Sequence, residues 1–258
     1  MYTKLKDIMI EAAKRAGAEL KEYFKTREFK VTQKSMNADL VTEVDKRAQD
    51  IIIKILSDKF PKIPIIAEEK KNIEADTAFY VDPLDGTLNF VHGFGMFAVS
   101  IGYWEDNIPK IGVVYNPISK ELFWAIKGEG AYLNNKKIHV SDISSLRESM
   151  LITGWPYDRS YLPKVIKSVE KALNNAQEIR SFGSSALECC YVAEGTFDGY
   201  WEWGLSPWDL AAGIVILQEA GAIVTDIEGA DFSLSKGDIL CATPGLHKEL
   251  LAMFKVGK

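Results

Sequence analysis

The stretch on which the reading turns runs from Phe79 to Phe90, FYVDPLDGTLNF. Phe79, Tyr80 and Val81 have the aromatic and β-branched character of a buried strand. Pro83 lacks the N–H that a central ladder requires, which predicts that the strand ends at Asp82. Leu84-Asp85-Gly86-Thr87 then supplies a turn, with a glycine where the backbone can approach a ligand closely and a hydroxyl able to cap a following helix. Two carboxylates three residues apart converge at this turn. On this segment alone, an ordinary Asp-Pro/Asp-Gly turn and a metal or phosphate site read equally well.

The bulk properties narrow the class. A chain of 258 residues, 47% hydrophobic and 26% charged, is an ordinary globule large enough to bury a substantial core. Its net charge of −5 argues against a nucleic-acid partner. No apolar run approaches the roughly 20 residues of a membrane helix. The N-terminal MYTKLKDIMIEAAKRAG mixes charges through its apolar positions, unlike a signal peptide, so a cytoplasmic protein with no membrane partner is expected. Cys189, Cys190 and Cys241 form no C-x-x-C pair and read as buried, reduced and structural.

Leu5, Ile8, Ala12, Ala16, Leu20, Tyr23 and Phe24 recur at helical spacing, predicting an amphipathic helix over the first two dozen residues. A second helix follows a polar loop. Thr42 and Asp45 have capping-box spacing, and Ala48, Ile51, Ile52, Ile55, Leu56 and Phe60 form its stripe before Pro61 and Pro64 end it. From Phe79 to Val140 the pattern turns to short β-rich segments, FYVD, FAVSIGYW, KIGVVY, ELFWAI and AYL, the last joined to KIHV through Asn134-Asn135, which predicts a meandering sheet. After Ser141, helices near Leu162 to Leu173, Ser185 to Glu194 and Trp208 to Ala220 alternate with IRSF, FDGYWEW, AIVTD and DILCA, predicting a second sheet covered by helices. No repeat or linker divides the chain. Residues 1–258 therefore read as one domain with two lobes and a change of pattern near residue 141.

The chemistry is carried by carboxylates. There is no G-x-S-x-G elbow, Walker A loop, post-strand G-x-G-x-x-G or H-E-x-x-H, and His92, His139 and His247 are scattered. The acids are grouped: Asp39 and Asp45 in KSMNADLVTEVD, Glu68 and Glu69 in IPIIAEEK, Asp82 and Asp85 in the opening stretch, and Asp209 in SPWDLAAG. Taken singly, Asp45 and Asp209 are explained as helix caps or first-turn acids, and Glu68-Glu69 as solvated surface. Taken together, oxygen-only clusters suit Mg²⁺, which is held by a few carboxylates plus water and substrate phosphate. Two such ions clamping one phosphoryl group is a route to hydrolysis, and a helix beginning at Gly86-Thr87 would add N–H groups for an anion.

In this order and at these separations, DLVTEVD, AEE, DPLDGTLNF and WDLAAG resemble the inositol monophosphatase family of Mg²⁺-dependent, lithium-sensitive phosphatases. The similarity runs from about Lys34 to Gly221. It implies an α/β (α+β layered) sugar-phosphatase fold with alternating helix and sheet layers, an αβαβα sandwich, and a homodimer. It implies two to three Mg²⁺ ions: Glu68, Asp82 and the Leu84 carbonyl on the first, Asp82, Asp85 and Asp209 on the second, and a third, looser ion near Glu68 and a mobile loop from Lys34 through Asp39 to Thr42. By the same resemblance Thr87 and Asp45, beside Glu68, activate the attacking water, and Gly86 and Thr87 receive phosphate oxygens. Gly183, Ser185 and Glu202 would line the substrate pocket with Asp85 and Asp209, Glu202 accepting hydroxyls of a polyol ring.

Ala67 replaces the family's usual glycine before Glu-Glu, and TGWPYD, Thr153 to Asp158, is similar to the TGFPY of bacterial and archaeal members. That likeness loosens any strict preference for inositol. The expected substrate is a small polyol or sugar phosphate, inositol 1-phosphate first, with fructose 1,6-bisphosphate and adenosine 3′,5′-bisphosphate as alternatives. A haloacid-dehalogenase-like phosphatase has a similar D-x-D-G-T string, but its acids are two apart and the first forms a phosphoaspartate, whereas Asp82 and Asp85 are three apart. A non-catalytic binding protein on the same fold would be expected to carry a damaged site, and this one retains every carboxylate.

Overall fold

The structure is a computed structural model that describes residues 1–33, 40–69 and 75–255. The chain opens with α1 (Tyr2–Thr26), the short β1 (Val31–Gln33) and β2 (Leu40–Thr42), and α2 (Glu43–Lys59). Strands β3 (Ile65–Ala67) and β4 (Ala78–Asp85) lead into the short α3 (Thr87–His92). Then follow β5 (Ala98–Glu105), β6 (Ile108–Asn116), β7 (Glu121–Ile126), β8 (Gly130–Leu133) and β9 (Lys136–Ile138). The second half comprises β10 (Met150–Thr153), α4 (Leu162–Asn175), β11 (Glu178–Arg180), α5 (Ser185–Ala193), β12 (Gly199–Glu202), α6 (Pro207–Glu219), β13 (Ile223–Thr225), β14 (Ile239–Ala242) and α7 (His247–Lys255).

Among the described residues, β3 to β9 form a sheet of seven strands in sequence order, antiparallel except for the β3–β4 pair. A second sheet has the order β11-β10-β12-β14-β13. Three apolar clusters fill the spaces between layers. Leu5, Met9, Ala16 and Leu20 of α1 and Ile52 and Leu56 of α2 pack on the outer face of the first sheet. Leu187 and Val192 of α5 and Ile214 and Leu217 of α6 lie between the two sheets. Val165 of α4 and Leu250 of α7 cover the far face of the second. The result is the five-layer αβαβα sandwich that the resemblance implied. Helix α6 is apolar on all sides because a layer covers each of them.

Local signals explain most boundaries. Thr42 caps α2, accepting from the N–H groups of Val44 and Asp45 while Asp45 takes the Thr42 N–H, and α2 stops one residue before Phe60-Pro61. The expectation for Pro83 needs correction: β4 does not end at Asp82 but runs on to Asp85. The ladder with β5 loses register between Asp82 and Asp85, so the proline sits in a bulge, where no N–H is required. The bulge carries Asp82 and Asp85 to one end of a buried strand. Strand β10 and helix α7 were not anticipated. Among the described residues no helix is long and apolar enough to cross a membrane.

Helix α6, which carries Asp209, is seated unusually close to the first sheet. Gly102 and Gly112 are cross-strand partners, and a Cβ on Gly112 would lie 2.2 Å from the Ala212 carbonyl oxygen, one on Gly102 2.7 Å from Ala211 backbone. Gly112→Ala should destabilise the protein by about 1–3 kcal/mol, the range for overpacking a filled core, read as a lower Tm. An unchanged Tm would mean that α6 has slack against the sheet.

Candidate active site

Four acids meet where the two sheets and the central helices converge. Asp82 and Asp85 arrive on the bulged end of β4, with the Leu84 N–H donating to Asp82 Oδ1 at 2.9 Å. Asp85 Oδ2 accepts the Ala186 N–H at 2.9 Å and the Ser184 hydroxyl. Asp209 stands in the first turn of α6, and its Oδ2 takes the Ser206 N–H at 2.8 Å. Each of Asp82, Asp85 and Asp209 offers a carboxylate oxygen such that all three lie within 4.8 Å of one another. Glu68, just after β3, lines the same cavity, and its charge bears on Asp82 and Asp209.

Beside them Thr87 Oγ1 lies 3.0 Å from both Asp45 Oδ1 and the Leu84 carbonyl, so its one proton serves either acceptor. The other Asp45 oxygen takes the Thr42 N–H at 2.8 Å and the Thr42 hydroxyl at 2.5 Å. Asp45 thus caps α2 and reaches Thr87 at once. The capping expectation is met, and the same carboxylate also touches a residue of the cavity wall.

The opposite wall comes from the second sheet and α5. Gly183, Ser185 and Glu202 line one cavity of about 570 Å³ with Glu68, Asp82, Leu84, Asp85, Gly86, Thr87 and Asp209. Glu202 ends β12, and its Oε2 accepts the Tyr200 hydroxyl at 2.6 Å. Gly154, in TGWPYD, makes room for it: a Cβ there would lie 1.9 Å from Glu202 Oε2. The loop before α5 is held from both sides. Glu188 Oε1 accepts the N–H groups of Phe182 (2.7 Å) and Gly183 (3.2 Å), and Asn89 Nδ2 donates to the carbonyls of Phe182 and Met96, each at 2.6 Å. Trp155 and Tyr157, about half exposed, and Arg159 form the rim.

Of the other expectations, Glu69 is not among the residues lining the cavity, though its charge bears on Asp45, and its backbone N–H donates to Gln49 Oε1. Thr42 is a buried helix cap, while Lys34 and Asp39 lie outside the described residues. The cysteines are free and buried. Sequence reasoning missed Ser184, Asn89, Gly154, Tyr200 and Glu188. Glu188 alone carried a usable signal, an acid in the otherwise apolar helix SALECCYVA. Ser184, Asn89 and Gly154 are ordinary polar or small residues that meet partners distant in sequence, and Tyr200 is a strand aromatic two residues from Glu202.

The electrostatics are those of like charges confined without a counter-charge. Burial pushes the Asp82 carboxyl well up, and the charges of Glu68, Asp85 and Asp209 push it further. Asp209 is raised by burial and then by Asp85 and Glu68. Burial raises Asp85 to about 6 against hydrogen bonds from Ser184 and Ala186 that pull it down, and raises Glu202 to about 7. Among the described residues no lysine or arginine pairs with Asp82, Asp85 or Asp209. An all-oxygen donor set with converging negative charge fits a hard divalent cation, with the Leu84 carbonyl as a neutral donor.

This makes the metal-free protein pH-sensitive in a defined direction. Between the unfolded carboxyl value of about 4 and the raised folded values, the folded chain holds more protons than the unfolded one, so stability falls as pH rises. For Asp85 the window is about 4 to 6. The Tm of chelator-treated protein should therefore fall across this interval, and Mg²⁺ should restore it most above pH 6. A Mg²⁺ effect on Tm equal at pH 5 and pH 7.5 would remove the cluster as the metal site.

Comparison with known proteins agrees with the geometry. The sequence profile of the inositol monophosphatase family matches residues 1–255. The chain is 39% identical over 250 residues to a protein of Pasteurella multocida named Nus factor SuhB, covering 95% of this chain and 93% of that one. It is 41% identical over 254 residues to an inositol-1-monophosphatase of Synechocystis, covering 95% and 86%. The solved structure of the extragenic suppressor protein SuhB of Bartonella henselae superposes with a TM-score of 0.94 at 36% identity, covering 99% and 100%. With the profile matched across nearly every residue and the acids of its motifs meeting in one cavity, the chain belongs to the inositol monophosphatase family of metal-dependent phosphatases.

Proposed function

We propose that the protein is a Mg²⁺-dependent phosphomonoesterase that hydrolyses a small polyol or sugar phosphate, inositol 1-phosphate first. Fructose 1,6-bisphosphate and adenosine 3′,5′-bisphosphate are the alternatives. The observation that carries this reading is the arrangement of one cavity: a largely buried carboxylate cluster with the Thr87–Asp45 pair, and the acid Glu202 on the wall from the second sheet. Asp82, Asp85, Asp209, Glu68 and the Leu84 carbonyl would hold Mg²⁺. When bound, Mg²⁺ supplies positive charge that neutralises the phosphoryl group and acidifies water.

The chain's own groups do the rest. Thr87 orients the attacking water, and Asp45 takes up its proton through the Thr87 hydroxyl. Burial raises the Asp45 carboxyl, which makes it a better proton acceptor than a solvated aspartate. The N–H groups of Gly86 and Thr87 receive phosphate oxygens at the start of α3. Gly183 and Ser185 border the leaving group, and Glu202 accepts its hydroxyls. Water attacks in line, so no side chain becomes phosphorylated. Residues 1–258 act as one domain, since both lobes contribute to the site, and the family resemblance supports a homodimer. The relatives named Nus factor SuhB raise a second role, binding a macromolecule, and Mg²⁺-dependent phosphate release by the purified protein separates the two.

Asp82→Asn and Asp209→Asn should each abolish activity and weaken Mg²⁺ binding in calorimetry while the fold is kept, Asp82→Asn more severely because by the family resemblance it would contribute to both metal positions. Activity lost with metal binding unchanged would count against the ligand assignment. Glu202→Gln should cost about 1–3 kcal/mol in kcat/KM on inositol 1-phosphate, the range for leaving a buried partner unsatisfied. On p-nitrophenyl phosphate, which has no hydroxyl to read, the cost should be much smaller. An equal loss on both would mean that Glu202 supports the metal site or the fold instead.

A further inference from the structure

Trp155 is the tryptophan that the packing of the described residues leaves uncommitted. Trp104, Trp124 and Trp201 donate their indole N–H groups to Ala211, Asn134 and Ser168, Trp203 packs edge-on to Phe254, and Trp208 packs against the cluster between the sheets. The Trp155 side chain makes no hydrogen bond or ring contact with the described residues and joins none of the three apolar clusters, and the residue is 48% exposed. A single exposed apolar side chain needs no explanation. Its position does. Three Phe, Tyr or Trp rings are exposed among the described residues, Phe94, Trp155 and Tyr157, and two of the three line the active-site cavity.

The segment around Trp155 keeps it at the rim. Gly154 cannot take a side chain without meeting Glu202, so Trp155 directly follows the residue that lies against the acid assigned to the leaving group. Pro156 confines the residue before it to extended backbone, which limits where the indole can swing. Leu88, one residue past Thr87 in α3, is also exposed and lines the same cavity. The buried part of the cavity is thus rich in acids, while its exposed part is mostly apolar, with Arg159 as the base at the rim. A phosphate ester seated with its phosphoryl group at the acids presents the far side of its leaving group to that rim. An indole there offers a large, rigid apolar face that loses little entropy on contact.

We propose that Trp155 is a specificity-determining residue of the leaving-group subsite, its indole face packing against the flat apolar face of a ring carried by the phosphate ester. The assignment rests on the phosphatase reading above. The ring can be the C–H face of a cyclic polyol or sugar, or the base of a nucleotide, since both present the same kind of surface. Glu202 then selects for hydroxyls and Trp155 for a ring, so the two act on different properties of one leaving group. An acyclic polyol phosphate meets the first requirement and not the second.

The test compares wild type, Trp155→Ala and Trp155→Phe on three esters in Mg²⁺: inositol 1-phosphate, adenosine 3′-phosphate, and glycerol 2-phosphate, which has hydroxyls but no ring. The readout is kcat/KM on each ring ester divided by kcat/KM on glycerol 2-phosphate. In Trp155→Ala this ratio should fall about tenfold for at least one ring ester, the size expected for losing an aromatic contact and the apolar area it buries; Trp155→Phe, which keeps a flat ring, should recover most of it. A fall for inositol 1-phosphate alone assigns the surface to a polyol ring, a fall for adenosine 3′-phosphate alone to a base, and a fall for both to either. Two unchanged ratios overturn the proposal: Trp155 then shields the site equally for every ester or, if Trp155→Ala elutes as a smaller species than wild type, is a contact between subunits. A ratio that Trp155→Phe lowers as far as Trp155→Ala overturns it as well. If wild type hydrolyses none of the three esters, the phosphatase reading fails first and the Trp155 assignment falls with it.

Discussion

Three carboxylates, Asp82 and Asp85 buried and Asp209 partly buried, that each present an oxygen within 4.8 Å of the others are the constraint from which the rest of this protein can be understood. Like charges at that separation, withdrawn from water, repel by several kcal/mol even at the moderate effective dielectric of a protein. The polypeptide contains the repulsion by tying one oxygen of each acid to backbone: Asp82 to the Leu84 N–H, Asp85 to the Ala186 N–H and Asp209 to the Ser206 N–H. The negative charge that remains converges within one cavity, a donor set that fits a hard cation. Such an arrangement is a binding site first and a folding element only at a cost, which is why the metal-free cluster holds its protons so tightly.

The layers exist in the form needed to bring those acids together. A strand from the first sheet, a helix sandwiched between sheets and the loop before a second helix each deliver one part. The strand end is turned by the bulge at Pro83, the α6 first turn is fixed by close seating on Gly102 and Gly112, and the α5 loop is pinned by Asn89 and Glu188. The second sheet adds Glu202 from β12, in a place that only a glycine at position 154 leaves open. A displacement of any one layer by an ångström would separate the acidic cluster from Glu202 across the cavity. Precision in the site is therefore set by packing between layers, far from the acids themselves.

Much of the architecture is legible along the chain because it depends on local periodicity. The stripe from Leu5 to Leu20, the Thr42–Asp45 capping box and the alternating segments between Phe79 and Val140 all formed as their patterns require. The errors fall where local rules compete with tertiary ones. Pro83 reads as a strand terminus, yet a bulge removes the need for its N–H and the strand continues to Asp85. Strand β10, four residues long, and helix α7, nine, are too short for periodicity to separate from their flanks, and their partners supply the stability.

By itself the sequence determined the kind of chemistry: an oxygen-only set of acids, the order of the motifs and the absence of histidine or cysteine ligands all follow from residue identity. Tertiary structure decided which groups from distant parts of the chain meet these acids, whereas Leu84 and Ser206 tie Asp82 and Asp209 locally. Thr87 meets Asp45 across 42 residues, and Ser184 meets Asp85 across 99. It also decided that Glu188, an oddity in an apolar helix, lies fully buried at the wall of the acidic cavity. Residue types specify what a group can donate or accept; only the packed layers specify what is left for it to meet.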